Sequence, residues 1–202
     1  MAVINIRKKE VQIKIVYVGP GRGGKTTNLE YLFSTIRHRI QSDMVSIKTH
    51  GDRTLFFDFL PIDLGQIQGY KIKTQLYTVP GQVKYNATRK LVLKGVDGVV
   101  FVADSMVAMR EKNIQSLENL HENLAFYDID LFNKFPIVLQ YNKRDLSSPE
   151  IPLLDVATME KDLNAKLKAP YLEASALRGE NVVPTVKKAI SATIVSLQDH
   201  LA

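Results

Sequence analysis

The sequence predicts an α/β fold: a six-stranded, mixed and mainly parallel sheet with helices on both faces, built around a phosphate-binding loop. Three observations carry this. Apolar strand-like runs alternate with segments of helical period along the 202 residues. Gly19-Pro20-Gly21-Arg22-Gly23-Gly24-Lys25-Thr26 fits G-x-x-x-x-G-K-[ST] between a strand and a helix start. Asn142-Lys143-Arg144-Asp145 closes a second apolar run, at the carboxyl end of a strand, where α/β sheets bind ligands.

Val11 to Val18 reads as the strand entering the glycine loop. A helix follows from about Lys25 to Gln41, and the polar stretch Ser42 to Thr54 is expected to be a mobile loop. Phe56 to Leu64 and Tyr70 to Val79 alternate apolar and polar residues, with Gly65 to Gly69 as a hairpin turn between them. A second helix falls within Lys84 to Lys94. Val99 to Ala103 is apolar throughout, as a strand covered on both faces should be. Ile114, Leu117, Leu120 and Leu124 give a helix over about Lys112 to Tyr127. Phe135 to Tyr141 is another buried strand, a helix spans about Val156 to Lys168, and Pro170-Tyr171-Leu172 is a short strand. The last helix lies within Val183 to Leu201, with Val186, Ala189, Ile190, Thr193, Ile194 and Leu197 on one face. Crossovers between parallel strands are right-handed, which puts helices on both faces of the sheet; only the Phe56–Leu64 strand should run against the others.

The glycine loop is built to hold phosphates. Glycines let backbone N–H groups converge on the anion, and the helix N-terminus adds positive dipole. Gly19, Gly21, Arg22, Gly23, Gly24, Lys25, Thr26 and Thr27 form this cradle; Lys25 reaches the β- and γ-phosphates and the Thr26 hydroxyl ligates Mg²⁺. Asn142, Lys143 and Asp145 select the base. The Asp145 carboxylate can accept from both N1–H and the exocyclic amine of guanine, whereas adenine offers an acceptor at the first position. Asn142 is expected to support the base edge and tie its loop to the P-loop, with the Lys143 stem over the ring. In Glu173-Ala174-Ser175-Ala176-Leu177, small residues let a backbone N–H approach the guanine oxygen, which brings Ser175, Ala176 and Leu177 to the nucleotide.

With these motifs in this order, the chain resembles the Ras-like small GTPases along nearly its whole length. Gly51 to Pro61, Thr78-Val79-Pro80-Gly81-Gln82 and Leu91 to Asp104 resemble the bacterial members that govern cell polarity and gliding or twitching motility. The resemblance implies one small-GTPase domain over 1–202 that hydrolyses GTP to GDP with Mg²⁺, slowly alone and faster with a roadblock-type activating protein. It also implies downstream polarity or motility effectors. Gln82 matches the glutamine that orients the attacking water, beside Gly81 and Gly21. Arg53 matches an internal arginine finger, and Thr54 the threonine that senses the γ-phosphate through Mg²⁺. The chain departs from the usual D-x-x-G, because Thr78 stands where the carboxylate that holds Mg²⁺ through water is expected. Either metal is held more weakly or Asp52 or Asp58 compensates. Asp104, at a strand end, is expected to order the turn that follows or to cap a helix.

Composition narrows the rest. The chain has no cysteine, which excludes disulfides, thiolate metal sites, palmitoylation and a prenylation box. Residue two is Ala2, so no lipid anchor is expected. The N-terminus lacks a signal-peptide h-region, and no apolar run approaches a membrane span. These features predict a cytoplasmic protein, brought to a pole or membrane face through partners or a weak charged surface. The net charge of +6 is modest, and Arg7-Lys8-Lys9 and Arg37-His38-Arg39 read as solvated surface and helix-end charge, so no nucleic-acid partner is expected. The four histidines show no metal-ligand spacing. A GTP-binding scaffold with negligible turnover is the alternative. A P-loop kinase of small substrates is disfavoured, since no acceptor domain fits in the length.

Overall fold

The computed structural model describes residues 3–5, 8–35, 45–47, 57–67, 69–82, 85–146 and 148–199. Its strands are β1 (Val3–Asn5), β2 (Glu10–Val18), β3 (Val45–Ile47), β4 (Phe57–Ile67), β5 (Tyr70–Thr78), β6 (Gly98–Asp104), β7 (Ile137–Asn142) and β8 (Tyr171–Glu173). The helices are α1 (Lys25–Thr35), α2 (Asn86–Leu93), α3 (Arg110–Ala125), α4 (Val156–Met159) and α5 (Val182–Asp199).

The sheet order is β3-β4-β5-β2-β6-β7-β8. From β5 to β8 neighbouring strands are parallel, and β4 runs antiparallel to β5, as expected. Two three-residue strands enlarge the expected six. β3 pairs antiparallel with β4, inside the stretch read as a loop. β1 pairs antiparallel with β2 at Glu10 to Gln12, below the point where β6 joins β2 at Ile15, so β4 is not alone in running against the parallel strands. Both are too short for an alternation pattern to reveal.

Alternation along the strands feeds two cores. Val99, Phe101 and Ala103 of β6 face a layer with Leu93, Leu120, Leu124 and Met159. Val100 and Val102 face the other way, onto Leu29, Leu32, Val186 and Ile190 of α1 and α5. A strand buried on both faces needs apolar residues at every position, which is what β6 shows.

Two elements differ from the sequence reading. The β4–β5 turn is tighter than Gly65 to Gly69, because β4 continues until Ile67 pairs with Tyr70; Gly69 turns the chain at φ +81°, and the register shifts between Asp63 and Gln66. The helix expected over Val156–Lys168 is α-helical only to Met159 and continues as a π-helical turn over Glu160–Asn164. Side-chain bonds span this turn. The Asn164 amide donates to the Glu160 carboxylate and to Ala169 O, and its oxygen accepts from Ala169 N, while the Tyr141 hydroxyl donates to Glu160. The end of the first helix beyond Thr35, with Arg37 and Arg39, lies outside the described residues.

Register brings the strand ends together. Val18 lies beside Phe101, Asp104 beside Asn142, Tyr141 beside Glu173, and Tyr17 beside Thr78. The loops after β2, β5, β6, β7 and β8 therefore leave from one edge.

Candidate functional site

The glycine loop at this edge admits no side chain at several positions. A Cβ on Gly19 would lie 2.1 Å from Val102 O, and one on Gly24 2.2 Å from Asn142 Nδ2. Both glycines have positive φ, at +147° and +100°. Gly23 N donates to Pro20 O at 3.2 Å, closing the turn. Asn28 in α1 donates from its backbone and its side chain to Gly24 O, at 3.0 and 2.9 Å. The Lys25 ammonium is buried and donates to Gly19 O at 3.0 Å and Pro20 O at 2.7 Å, so a cation sits inside the loop. Thr26, exposed in the first turn of α1, and Thr27 follow it. Arg22 is exposed and adopts φ +63°.

Asn142 joins three segments. Its Nδ2 donates to Gly23 O at 2.7 Å, and its Oδ1 accepts from Ala176 N at 2.8 Å. The side chain is thus the brace between the glycine loop and the loop after β8. Ser175 is buried and its Oγ accepts from Arg178 N, which shapes that loop. Leu177 points to solvent, 76% exposed, so only its backbone is available inward. Asp145 is half-buried on a 3₁₀ turn, Arg144–Leu146.

Two features of this half, the partner of Lys143 and the contacts of Arg144, were not read from the sequence. The Lys143 ammonium forms an ion pair with Asp104 Oδ2 at 2.6 Å. Asp104 is fully buried, and its Oδ1 accepts from Met106 N at 3.1 Å, which is the turn-ordering role expected of it. Arg144, the unspecified position of the motif, pairs with Glu173 and donates to Leu154 O, pinning the loop from outside.

On the other side, the segment after β5 packs directly on the glycine loop. Thr78 is buried at the end of β5, and Val79 N donates to Tyr17 O. A Cβ on Gly81 would lie 2.3 Å from Gly21 N and 2.4 Å from Pro20 C, so the two backbones touch. A Cβ on Gly21 would lie 3.6 Å from Gln82 Cγ, an ordinary contact. Gln82 itself is exposed. Arg89 of α2 is buried behind this segment and donates to Pro80 O and Gln82 O. Burial pulls its pKa below the ordinary arginine value. Its only sequence signal is a cation on the inward face of an amphipathic helix. Arg53, Thr54 and Asp52 lie outside the described residues, and Asp58 lies on β4.

Thr26 suits Mg²⁺, a hard cation that is commonly held by one or two protein oxygens together with substrate phosphates. Among the described residues no cluster of three His, Asp or Glu competes for it, and no helix is long and apolar enough to cross a membrane.

The Ras family model matches residues 14–195. The chain is 49% identical over 198 residues, 98% of each protein, to the mutual gliding-motility protein MglA of Myxococcus xanthus (strain DK1622). It is 28% identical over 171 residues, 84% of this chain and 70% of the relative, to Ras-related protein Rab-11A of Dictyostelium discoideum.

Proposed function

The chain belongs to the Ras family and is a GTPase, and we propose that within that family it is a molecular switch controlling bacterial cell polarity and motility. The observation that supports this best is the convergence of three loops on one sheet edge: Gly19 to Gly24, Pro80 to Gln82 and Asn142 to Asp145. Similarity to a gliding-motility protein along 98% of the chain supplies the biological setting.

In this reading Asp145 holds the guanine edge, and Asn142 keeps the base loop and the phosphate loop at a fixed separation. The backbone of Ser175, Ala176 and Leu177 meets the guanine oxygen. Lys25 neutralises charge on the β- and γ-phosphates within the cradle of Gly19 to Thr27. Thr26 and Thr54 would hold Mg²⁺, which would neutralise phosphate charge. Gln82, seated over Gly21, orients the water, and Arg53 acts as an internal arginine finger. Positioning and charge neutralisation are what phosphoryl transfer to water requires.

Hydrolysis is slow alone and accelerated by a roadblock-domain activator of the MglB type. With Arg53 in cis, that partner has only to align Arg53 and Gln82. Effectors distinguish the GTP and GDP states. The protein works in the cytoplasm and reaches a pole or membrane face through partners. The 1–202 chain acts as one small-GTPase domain.

GTP turnover measured alone and with the roadblock partner tests this. Slow turnover that the partner raises by orders of magnitude, towards the roughly 10⁵-fold of activated relatives, is expected. Turnover that stays negligible in both conditions would make the protein a GTP-binding scaffold.

A further inference from the structure

Arg89 links the segment carrying Gln82 to the body of the protein. Its Nη1 donates to Gln82 O at 2.5 Å and to Pro80 O at 3.1 Å, the two carbonyls on either side of Gly81. Its Nε donates to Asn119 Oδ1 of α3 at 2.7 Å, and Nη2 reaches Asn86 Oδ1 at 3.5 Å. Asn86 Oδ1 also accepts from Asn119 and Asn123, at 3.2 and 2.9 Å, and Asn119 Oδ1 accepts from Asn123 at 2.9 Å. The guanidinium is therefore held from behind by Asn119 and Asn86, which Asn123 braces, and holds two backbone carbonyls in front.

The geometry sets where Gln82 sits. Gly81 lies against Gly21 N and Pro20 C with no room for a methyl group, so the segment cannot move towards the glycine loop. Arg89 opposes motion away from it. A guanidinium presents its donors in a fixed planar fork, so fixing one edge on Asn119 fixes the direction of the other. Such a group is buried at a cost, and the carbonyl and amide acceptors offset it. Through its bonds to Pro80 O and Gln82 O, Arg89 acts on the reaction by way of the residues it holds.

We propose that Arg89 is a positioning residue for GTP hydrolysis, fixing Gln82 over Gly21, with Asn86, Asn119 and Asn123 orienting its guanidinium. The inference rests on the reading of Gln82 as the group that orients the attacking water.

The test is single-turnover hydrolysis at saturating GTP, with GTP affinity measured in parallel. The proteins are wild type, Arg89→Ala, Arg89→Lys, Gln82→Ala and the double variant Arg89→Ala/Gln82→Ala. Misplacing a reacting group by about 1 Å can cost about a hundredfold, so Arg89→Ala should lose about ten- to a hundredfold in rate with GTP affinity within about threefold of wild type. Arg89→Lys should not restore the rate, because an ammonium is a point charge without the fork. The double variant should be no slower than Gln82→Ala. Additive losses in the double variant, full activity in Arg89→Lys, or GTP affinity falling in step with rate would each overturn the proposal. A slow Gln82→Ala beside an Arg89→Ala of wild-type rate overturns it alone; a wild-type rate in Gln82→Ala overturns the reading of Gln82 as well. Should Arg89→Ala fail to fold, Asn119→Ala keeps the cation and removes its Nε acceptor. A smaller loss, absent in the Gln82→Ala background, supports the proposal, and no loss overturns it.

Discussion

Replacing Asn142 by alanine removes both halves of the brace between the glycine loop and the loop after β8. Gly23 O loses a 2.7 Å donor and Ala176 N a 2.8 Å acceptor, both in the interior. Each buried group left unpaired costs about 1–3 kcal/mol, so the pair costs about 2–6 kcal/mol. If the brace does no more than pack the fold, all of this appears in global stability. If it holds the base loop and the phosphate loop at nucleotide-binding separation, the bound state loses it too. A loss of about 3 kcal/mol in binding corresponds to about a hundredfold. Release of a fluorescent GDP analogue by stopped flow, with urea unfolding of the same protein, separates the two. We expect the unfolding free energy to fall and release to accelerate by about a hundredfold. Lower stability with unchanged release would refute the bridging argument, and no change in either would refute the energetic one.

Four further outcomes follow from the same geometry. Asp145→Asn should weaken GTP by about ten- to a hundredfold, the worth of a charge-assisted hydrogen bond, and gain affinity for xanthosine triphosphate, which competition binding will read. Gly21→Ala should fold normally, since its Cβ meets Gln82 Cγ at an ordinary 3.6 Å, whereas Gly21→Val crowds Gln82 and should bind GTP but lose most stimulated turnover in a phosphate-release assay. Gly81→Ala places a Cβ 2.3 Å from Gly21 N; it should cost about 1–3 kcal/mol in urea unfolding and slow hydrolysis more than it weakens binding. The Arg110 guanidinium, bonded to Asp162 at 2.7 and 3.0 Å, holds that carboxyl below the usual aspartate range. A carboxyl with a lowered folded pKa stabilises fully above its unfolded pKa of about 3.9 and loses that contribution as pH falls through the folded value. The melting-temperature gap between wild type and Asp162→Asn should therefore be constant from pH 7 to about 5 and close below about pH 4.

The parts legible in the sequence are those where one residue type answers one physical demand. Gly19 and Gly24 admit nothing else where backbone and Asn142 press on them, so the glycine pattern marked the loop. Asn142 bridges the two loops as its motif implied, and β6, buried on both faces, declared itself by unbroken apolar residues. What escaped depends on side chains that meet only in three dimensions. At the π-helical turn Asn164 and Tyr141 converge on Glu160, a meeting that no periodicity encodes. Asn119 and Asn123 look like breaks in an apolar face until Arg89 and Asn86 are brought to them from another helix. The Lys143 stem is expected over the base, and no local pattern reveals that its ammonium meets the buried Asp104.

On the proposed reading, Gln82 over the glycine loop, assisted by Arg53, makes this guanine-nucleotide site a hydrolytic switch. Single-turnover GTP hydrolysis by wild type, Gln82→Ala and Arg53→Ala, each with saturating roadblock partner, tests it most directly. Both variants should bind GTP and the partner as wild type does but lose stimulated hydrolysis, by about 10³–10⁵-fold for Arg53, the contribution of an arginine finger. Full stimulated turnover in Gln82→Ala would contradict it.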